Sequence, residues 1–198
     1  HSELGSRPLA LGAHARDGGV DVVVAASRAS RVDVVFQIDG AEVNHTLKGP
    51  TLGVWHGFIP GISAGTRYGF RVWGRWNPAQ GLRHNPAKLL IDPYARGLDG
   101  EIVHGPEIYD YEWVGGHPGH PGQRSTLDSA AHTAWGVVVD SSFSAYHSRP
   151  RHSWDTTVIY EAHVVGLTKL LPGLPENLRG TYAGLAHPFT VSHLTRLD

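Results

Sequence analysis

The chain has 198 residues, with 17 Lys and Arg against 18 Asp and Glu, a formal charge of −1, and neither cysteine nor methionine. A near-neutral balance gives no field for drawing in nucleic acid or an anionic membrane surface. The absence of cysteine excludes a disulfide framework, a thiolate metal site and a thiol nucleophile. Apolar runs stop at four or five residues, as in Val22–Ala26, against the roughly 20 that a membrane-spanning helix needs. No charged-then-apolar secretory segment opens the chain, so a soluble, intracellular protein is expected. His1 is not a translation start, so the numbering is expected to begin inside a longer product.

With 25 Gly and 13 Pro, the composition is that of many turns between short strands. In chain order, Arg16-Asp17-Gly18-Gly19 is a turn into a strand at Val20–Ala26. Val32, Val34, Phe36 and Ile38 then alternate with Arg31, Asp33, Val35 and Gln37, the period of a strand with one buried face. Asp39-Gly40 supplies the positive φ angles of a type I′ turn, which predicts a hairpin with Ala41–Leu47. Gly53–Ile59 and Arg67–Trp73 follow, separated by Pro60-Gly61 and Gly65. This spacing predicts an antiparallel, immunoglobulin-like β-sandwich over residues 7–110.

Beyond Gly74 the texture changes. A connector is expected over 111–155, with an exposed, mobile loop at 115–129 that holds four Gly, two Pro and, of large apolar residues, only Leu127. Gly136–Asp140 has the makings of one short strand. Thr156–Val165 (TTVIYEAHVV) reads as a strand buried on both faces, and Pro188 as the start of a helix. One βα unit cannot cover its own faces or edges. Residues 156–198 therefore read as the opening of a larger α/β domain.

Three blocks carry a family likeness. They are Gly65-Thr66-Arg67-Tyr68-Gly69-Phe70-Arg71-Val72, Arg83-His84-Asn85-Pro86-Ala87-Lys88-Leu89-Leu90-Ile91-Asp92-Pro93-Tyr94-Ala95, and the pair Tyr160-Glu161-Ala162-His163-Val164 and Arg179-Gly180-Thr181-Tyr182-Ala183-Gly184-Leu185. In these the chain resembles bacterial glycogen debranching enzymes, which belong with the isoamylases in family 13 of the glycoside hydrolases. The resemblance runs from about Arg7 to Leu197. It implies a family-48 carbohydrate-binding sandwich, a connector, and the first βα unit of a truncated (β/α)₈ barrel, in a cytoplasmic protein that hydrolyses α-1,6 branch linkages of glycogen or limit dextrin. The family's nucleophilic Asp, general-acid Glu and second Asp lie on later barrel strands, so no catalytic residue is expected in this chain and it is expected to be inert alone. His84 stands where an aromatic is common, and Val165 where Arg is common. The alternative reading is a stand-alone glucan-binding module.

The candidate glycan contacts are Trp73, Arg75 and Trp76, with Arg71. With Tyr68, Phe70 and Val72 inward, Arg67, Arg71 and Trp73 fall on the outer face of their strand, where an aromatic plane and arginine donors suit a sugar. The competing reading, which is preferred, packs Trp73 and Trp76 against the catalytic barrel across the domain junction. Trp55 reads as core. Glu161 and His163 share a strand face, either as a charged pair near substrate or, the preferred reading, as a structural pair. His117 and His120 lack the further ligands a metal site requires, so no metal or cofactor is expected. The expected partner is an α-glucan such as glycogen or maltodextrin, with neither nucleic acid nor membrane, and with self-association possible through 157–198.

Overall fold

The computed structural model describes residues 10–120, 122–140 and 151–197. The start of the expected sandwich at 7–9, connector residue 121, connector residues 141–150 and the last residue, 198, lie outside the described residues. The chain divides into two compact units at residue 145.

In the first unit β2 (Gly19–Ala25), β3 (Ala29–Ile38), β4 (Ala41–Thr46), β6 (Val54–Pro60) and β7 (Arg67–Gly74) follow the predicted runs closely, and β1 (Gly12–Arg16) and β5 (Lys48–Thr51) are strands beyond those predicted. Asp39 at φ 50 and Gly40 at φ 80 form the turn that joins β3 to β4, and the hairpin register runs from Ile38↔Ala41 to Asp33↔Thr46. One antiparallel sheet has the order β1-β2-β6-β5. The other centres on β3 and β7, paired from Gln37↔Arg67 to Ala29↔Gly74. Val20, Val22, Val32, Val34, Phe36, Trp55, Ile59, Tyr68 and Phe70 meet between the sheets as one core, so the inward faces of β3 and β7 and the burial of Trp55 are as expected. The Tyr68 hydroxyl donates to Asp92 Oδ2 at 2.7 Å. Burial, reinforced by that carboxylate, pushes the phenol far above its ordinary value.

The outer face of the second sheet departs from expectation. Asp33 and Val35 were to face solvent, yet both are fully buried. The chain returns across them: Val35, Leu89 and Trp135 pack together with Ala130 as a second apolar cluster. A Cβ on Gly69 would stand 3.0 Å from Leu89 Cγ, so the bare glycine admits this layer. Short elements extend the fold, namely β8 (Trp76–Asn77), β9 (Leu82–Arg83), β10 (Leu98–Asp99), β11 (Trp113–Val114), β12 (His117–Pro118) and β13 (Trp135–Val137). β13 pairs with β7 through Gly136↔Tyr68 and Val137↔Arg67, and β10 pairs with β13. The second sheet therefore takes a strand from beyond residue 110.

Residues 122–129 are largely exposed, as expected, but are anchored from within. Ser125 and Ser129 are buried; Ser129 Oγ accepts from Leu89 N at 2.8 Å. Lys88 Nζ donates to Glu107 O at 2.6 Å, Leu127 O at 2.6 Å and Ser125 Oγ at 3.1 Å. Buried polar groups are tolerated when their hydrogen bonds are complete, and here one ammonium ties three backbone segments. Polar composition made this stretch look solvated, but its serines are internal anchors.

The second unit is helical. α1 (Val164–Thr168), α2 (Tyr182–Leu185) and α3 (Pro188–Leu194) each begin at a side-chain cap, His163, Thr181 and His187 in turn. The helix expected at Pro188 is α3. Buried Thr168 accepts from Gly180 N at 2.8 Å, and Thr190 donates to Gly184 O at 2.7 Å. The strand expected over 156–165 is absent. Residues 157–163 are assigned neither strand nor helix and are exposed. A strand is a paired object, and no neighbour among the described residues offers these backbone groups a ladder.

Candidate functional site

Gly74 ends β7 and, lacking a Cβ, leaves room for the His84 ring just beyond the β8–β9 hairpin. A Cβ at Gly74 would overlap the His84 ring, 2.6 Å from its Cγ. His84 Nδ1 lies 3.1 Å from Arg75 O, a carbonyl that only accepts, so the Nδ1–H tautomer donates. Trp76↔Arg83 pairing then presents Trp76 beside the connector. Its indole Nε1 donates to Gly122 O at 2.7 Å, while Arg83 pairs with Asp110 at 3.2 Å.

The four predicted contacts do not share one free surface. Arg71 is 7% exposed. Its guanidinium binds Glu42 and Asp128, each at 2.9 Å, and donates to Pro86 O at 3.0 Å. Burial alone would lower its pKa; the bonds to Asp128 and Glu42 outweigh this and raise it. The covered outer face explains why Arg71 is unavailable. Trp73 is half-buried, with the Arg31 guanidinium 4.4 Å over its ring. Arg31 is in turn held by both oxygens of Asp33, at 2.8 and 2.6 Å. Trp76 is half-buried and anchored through its N–H, and Arg75 is exposed. Glu161 and His163 are not brought together as a pair. His163 Nδ1 caps α1 by accepting from Gly166 N at 3.3 Å, and Glu161 is exposed.

A cleft of about 350 Å³ lies between Val24 and Ala25 of β2, with Ala26 just beyond, and Phe70, Val72 and Leu90, with Arg83 and Asp110 among its lining. It abuts the Trp76 hairpin through Arg83 and His84. Among the described residues no three His, Asp or Glu side chains gather as metal ligands, and no helix is long and apolar enough to cross a membrane. The sequence reading passed over a further group: Tyr109, Tyr111 and Trp113 pack together, Tyr109 and Trp113 stacked with centroids 4.4 Å apart. The signal was there, since aromatics at every second position of an extended segment share one face.

The fold and these residues have known counterparts. Residues 10–95 match the family described as carbohydrate-binding module 48, the isoamylase N-terminal domain. This part of the chain is similar to family-48 carbohydrate-binding modules. The module's limits stop short of β10 and β13, which complete its second sheet. Over 193 residues, 96% of its length, the chain is 42% identical to the glycogen debranching enzyme of Erwinia tasmaniensis and spans 28% of that protein. Among solved structures it superposes on a multi-modular glycogen-degrading pneumococcal virulence factor with a TM-score of 0.63 at 19% identity, covering 97% of this chain and 18% of that one. The pullulanase of Anoxybacillus sp. LM18-11, complexed with maltotetraose, gives a TM-score of 0.57 at 18% identity, covering 94% and 22%. At those identities the likeness is one of fold.

Proposed function

We propose that this chain is the non-catalytic N-terminal portion of a glycogen-debranching α-1,6-glucosidase, and that its family-48 module contacts α-glucan through Trp76, with Trp73 and Arg75 beside it. The observation that carries this reading is the 42% identity over 193 residues to a glycogen debranching enzyme. Hydrolysis with retention needs two carboxyl groups about 5–5.5 Å apart across the scissile bond. Five acidic side chains of the module and connector are committed elsewhere: Asp33 to Arg31, Asp92 to Tyr68, Asp110 to Arg83, and Glu42 and Asp128 to Arg71. The domain limits on this reading are 7–110, 111–155 and 156–198.

Residues 156–198 belong, on the same reading, to the first βα unit of a (β/α)₈ barrel. Support comes from Val158 and Ile159, which are 93% and 77% exposed, whereas a strand inside a barrel is covered on both sides. In isolation this segment is where one copy of the chain meets another. The reading also entails a cytoplasmic parent protein.

Incubation of the purified chain with glycogen is expected to release no reducing ends above background. In a native gel containing glycogen the chain is expected to migrate late, and Trp76→Ala to lessen the retardation. Turnover would overturn the inert reading; unretarded migration of the unaltered chain would overturn the glucan contact.

A further inference from the structure

Tyr109, Tyr111 and Trp113 form a three-ring cluster outside the limits of the module. Tyr109 and Trp113 are stacked at 4.4 Å and 10°, and Tyr111 lies 5.6 Å from one and 6.3 Å from the other. All three are half-buried. In the stacked pair each ring keeps one face that its partner does not cover.

Their polar tips set them apart from Trp55, Trp76, Trp135 and Tyr68. Trp55, Trp76 and Trp135 donate their indole N–H to the carbonyls of Ala26, Gly122 and Ala130, and Tyr68 donates to Asp92. Tyrosine and tryptophan tips that are buried usually end in such partners. The hydroxyls of Tyr109 and Tyr111 and the indole N–H of Trp113 engage no hydrogen-bond partner among the described residues, and none of them is a buried unsatisfied atom. The cluster therefore offers apolar ring surface together with three unengaged polar groups.

The backbone beneath is held firmly. Asp110 O accepts from Asn85 Nδ2 at 3.1 Å and from Ser125 N at 2.9 Å; Glu112 N donates to Gln123 O at 3.0 Å. Buried Lys88 fixes Glu107 O. Desolvation pulls the Lys88 pKa below its ordinary value, a cost the fold accepts in pinning this segment. Pre-organised aromatic anchors lose little on binding.

The neighbouring charges select the ligand class. Glu107, Asp110 and Glu112 interleave with the aromatics, and Arg83 is already paired to Asp110. Such a segment repels a phosphate backbone, and its ring face suits a neutral polyol, whose C–H faces lie on rings and whose hydroxyls meet phenol and indole. The surface is also continuous with the Trp76 hairpin. Residues 122–124 accept from Trp76 at Gly122 O and bridge Tyr111 at Arg124.

We infer that Tyr109, Tyr111 and Trp113 form a second α-glucan contact, taking a linear α-1,4-linked segment alongside the one at Trp76. The inference rests on the proposed glucan-binding role and adds a site that lies outside residues 10–95. Titration of the 198-residue chain with maltoheptaose tests both, following the indole N–H signals of Trp76 and Trp113 by NMR, each assigned through its Trp→Phe variant. The expected result is a saturable shift at Trp113 that persists in Trp76→Ala. Tyr109→Ala should weaken that response by about tenfold, the worth of one aromatic contact, while an unchanged Trp135 signal reports an intact fold. Tyr111→Phe removes only a hydroxyl and should weaken it by a smaller factor. A shift at Trp76 with Trp113 silent overturns this second contact and leaves the module's role standing. A shift at Trp113 alone upholds it and removes the contact at Trp76. Silence at both overturns both.

Discussion

Arg71 sits on the strand face where a sugar-binding arginine was expected, and the fold uses it as a clamp. Glu42 reaches it across β3, and Asp128 arrives from the connector, so one guanidinium joins a hairpin to a returning segment. Arg71→Ala would strand two carboxylates. Loss of one partner of a buried pair costs about 3–5 kcal/mol, and since Asp128 is 60% exposed about 2 kcal/mol is expected, read as a lower urea midpoint. Retardation by glycogen should stay unchanged, because this side chain is not offered to ligand. Tyr68 makes a second case. Its phenol ionises far higher in the folded chain than the unfolded value of about 10. The group therefore stabilises the fold fully below about pH 10, and that contribution declines above it, where the unfolded chain releases the proton first. The urea midpoint should fall more steeply between about pH 10 and pH 11 than it does in Tyr68→Phe; parallel profiles would contradict this. Alternation alone identified Tyr68 and Trp55 as core. The role of Arg71 was hidden because its partners lie 29 and 57 residues away in the chain.

Among the elements, β3 marks the boundary of what alternation can tell. Val32, Val34 and Phe36 declare an inward face, and Asp39-Gly40 declares the turn that follows. The opposite face, with Asp33 and Val35, carries no such mark, since whether a sheet face meets water depends on what later crosses it. Residues 85–135 cross it, and they hold on through Lys88, Asn85 and two serines, residue types that in sequence signify solvent. The exposed segment 157–163 shows the converse. Its β-rich composition announces a strand, but a strand exists only with neighbours. Attachment of β13 depends on Gly136, where a Cβ would stand 2.9 Å from Tyr68 Cε1 and 3.1 Å from Cζ. Gly136→Ala should therefore cost about 2 kcal/mol through overpacking and lower hydrogen-exchange protection at Val137 and Val138, with the β3–β4 hairpin amides unaffected.

At the scale of the whole chain the two units differ in how they handle apolar surface. The first buries it between sheets and under a returning layer. The second leaves Val158, Ile159, Tyr160, Leu170 and Tyr182 largely open, the kind of patch that marks an association surface. Sedimentation velocity should show concentration-dependent association of the chain, and the double substitution Val158→Lys, Ile159→Lys should suppress it; a wild-type chain that stays monomeric at high concentration would refute the patch's role. The borrowed strand β13 has a bearing on how such a module travels between proteins. A crossover placed at residue 95, where the match to the family-48 module ends, would sever Trp135 and Ala130 from Val35 and Leu89 and strip β7 of a neighbour, yielding a sticky, half-dressed sheet. A graft carried through to residue 140 would bring its own cladding. The heritable piece is thus longer than the recognisable one, and swaps that respect the longer limit are those expected to survive in a new host.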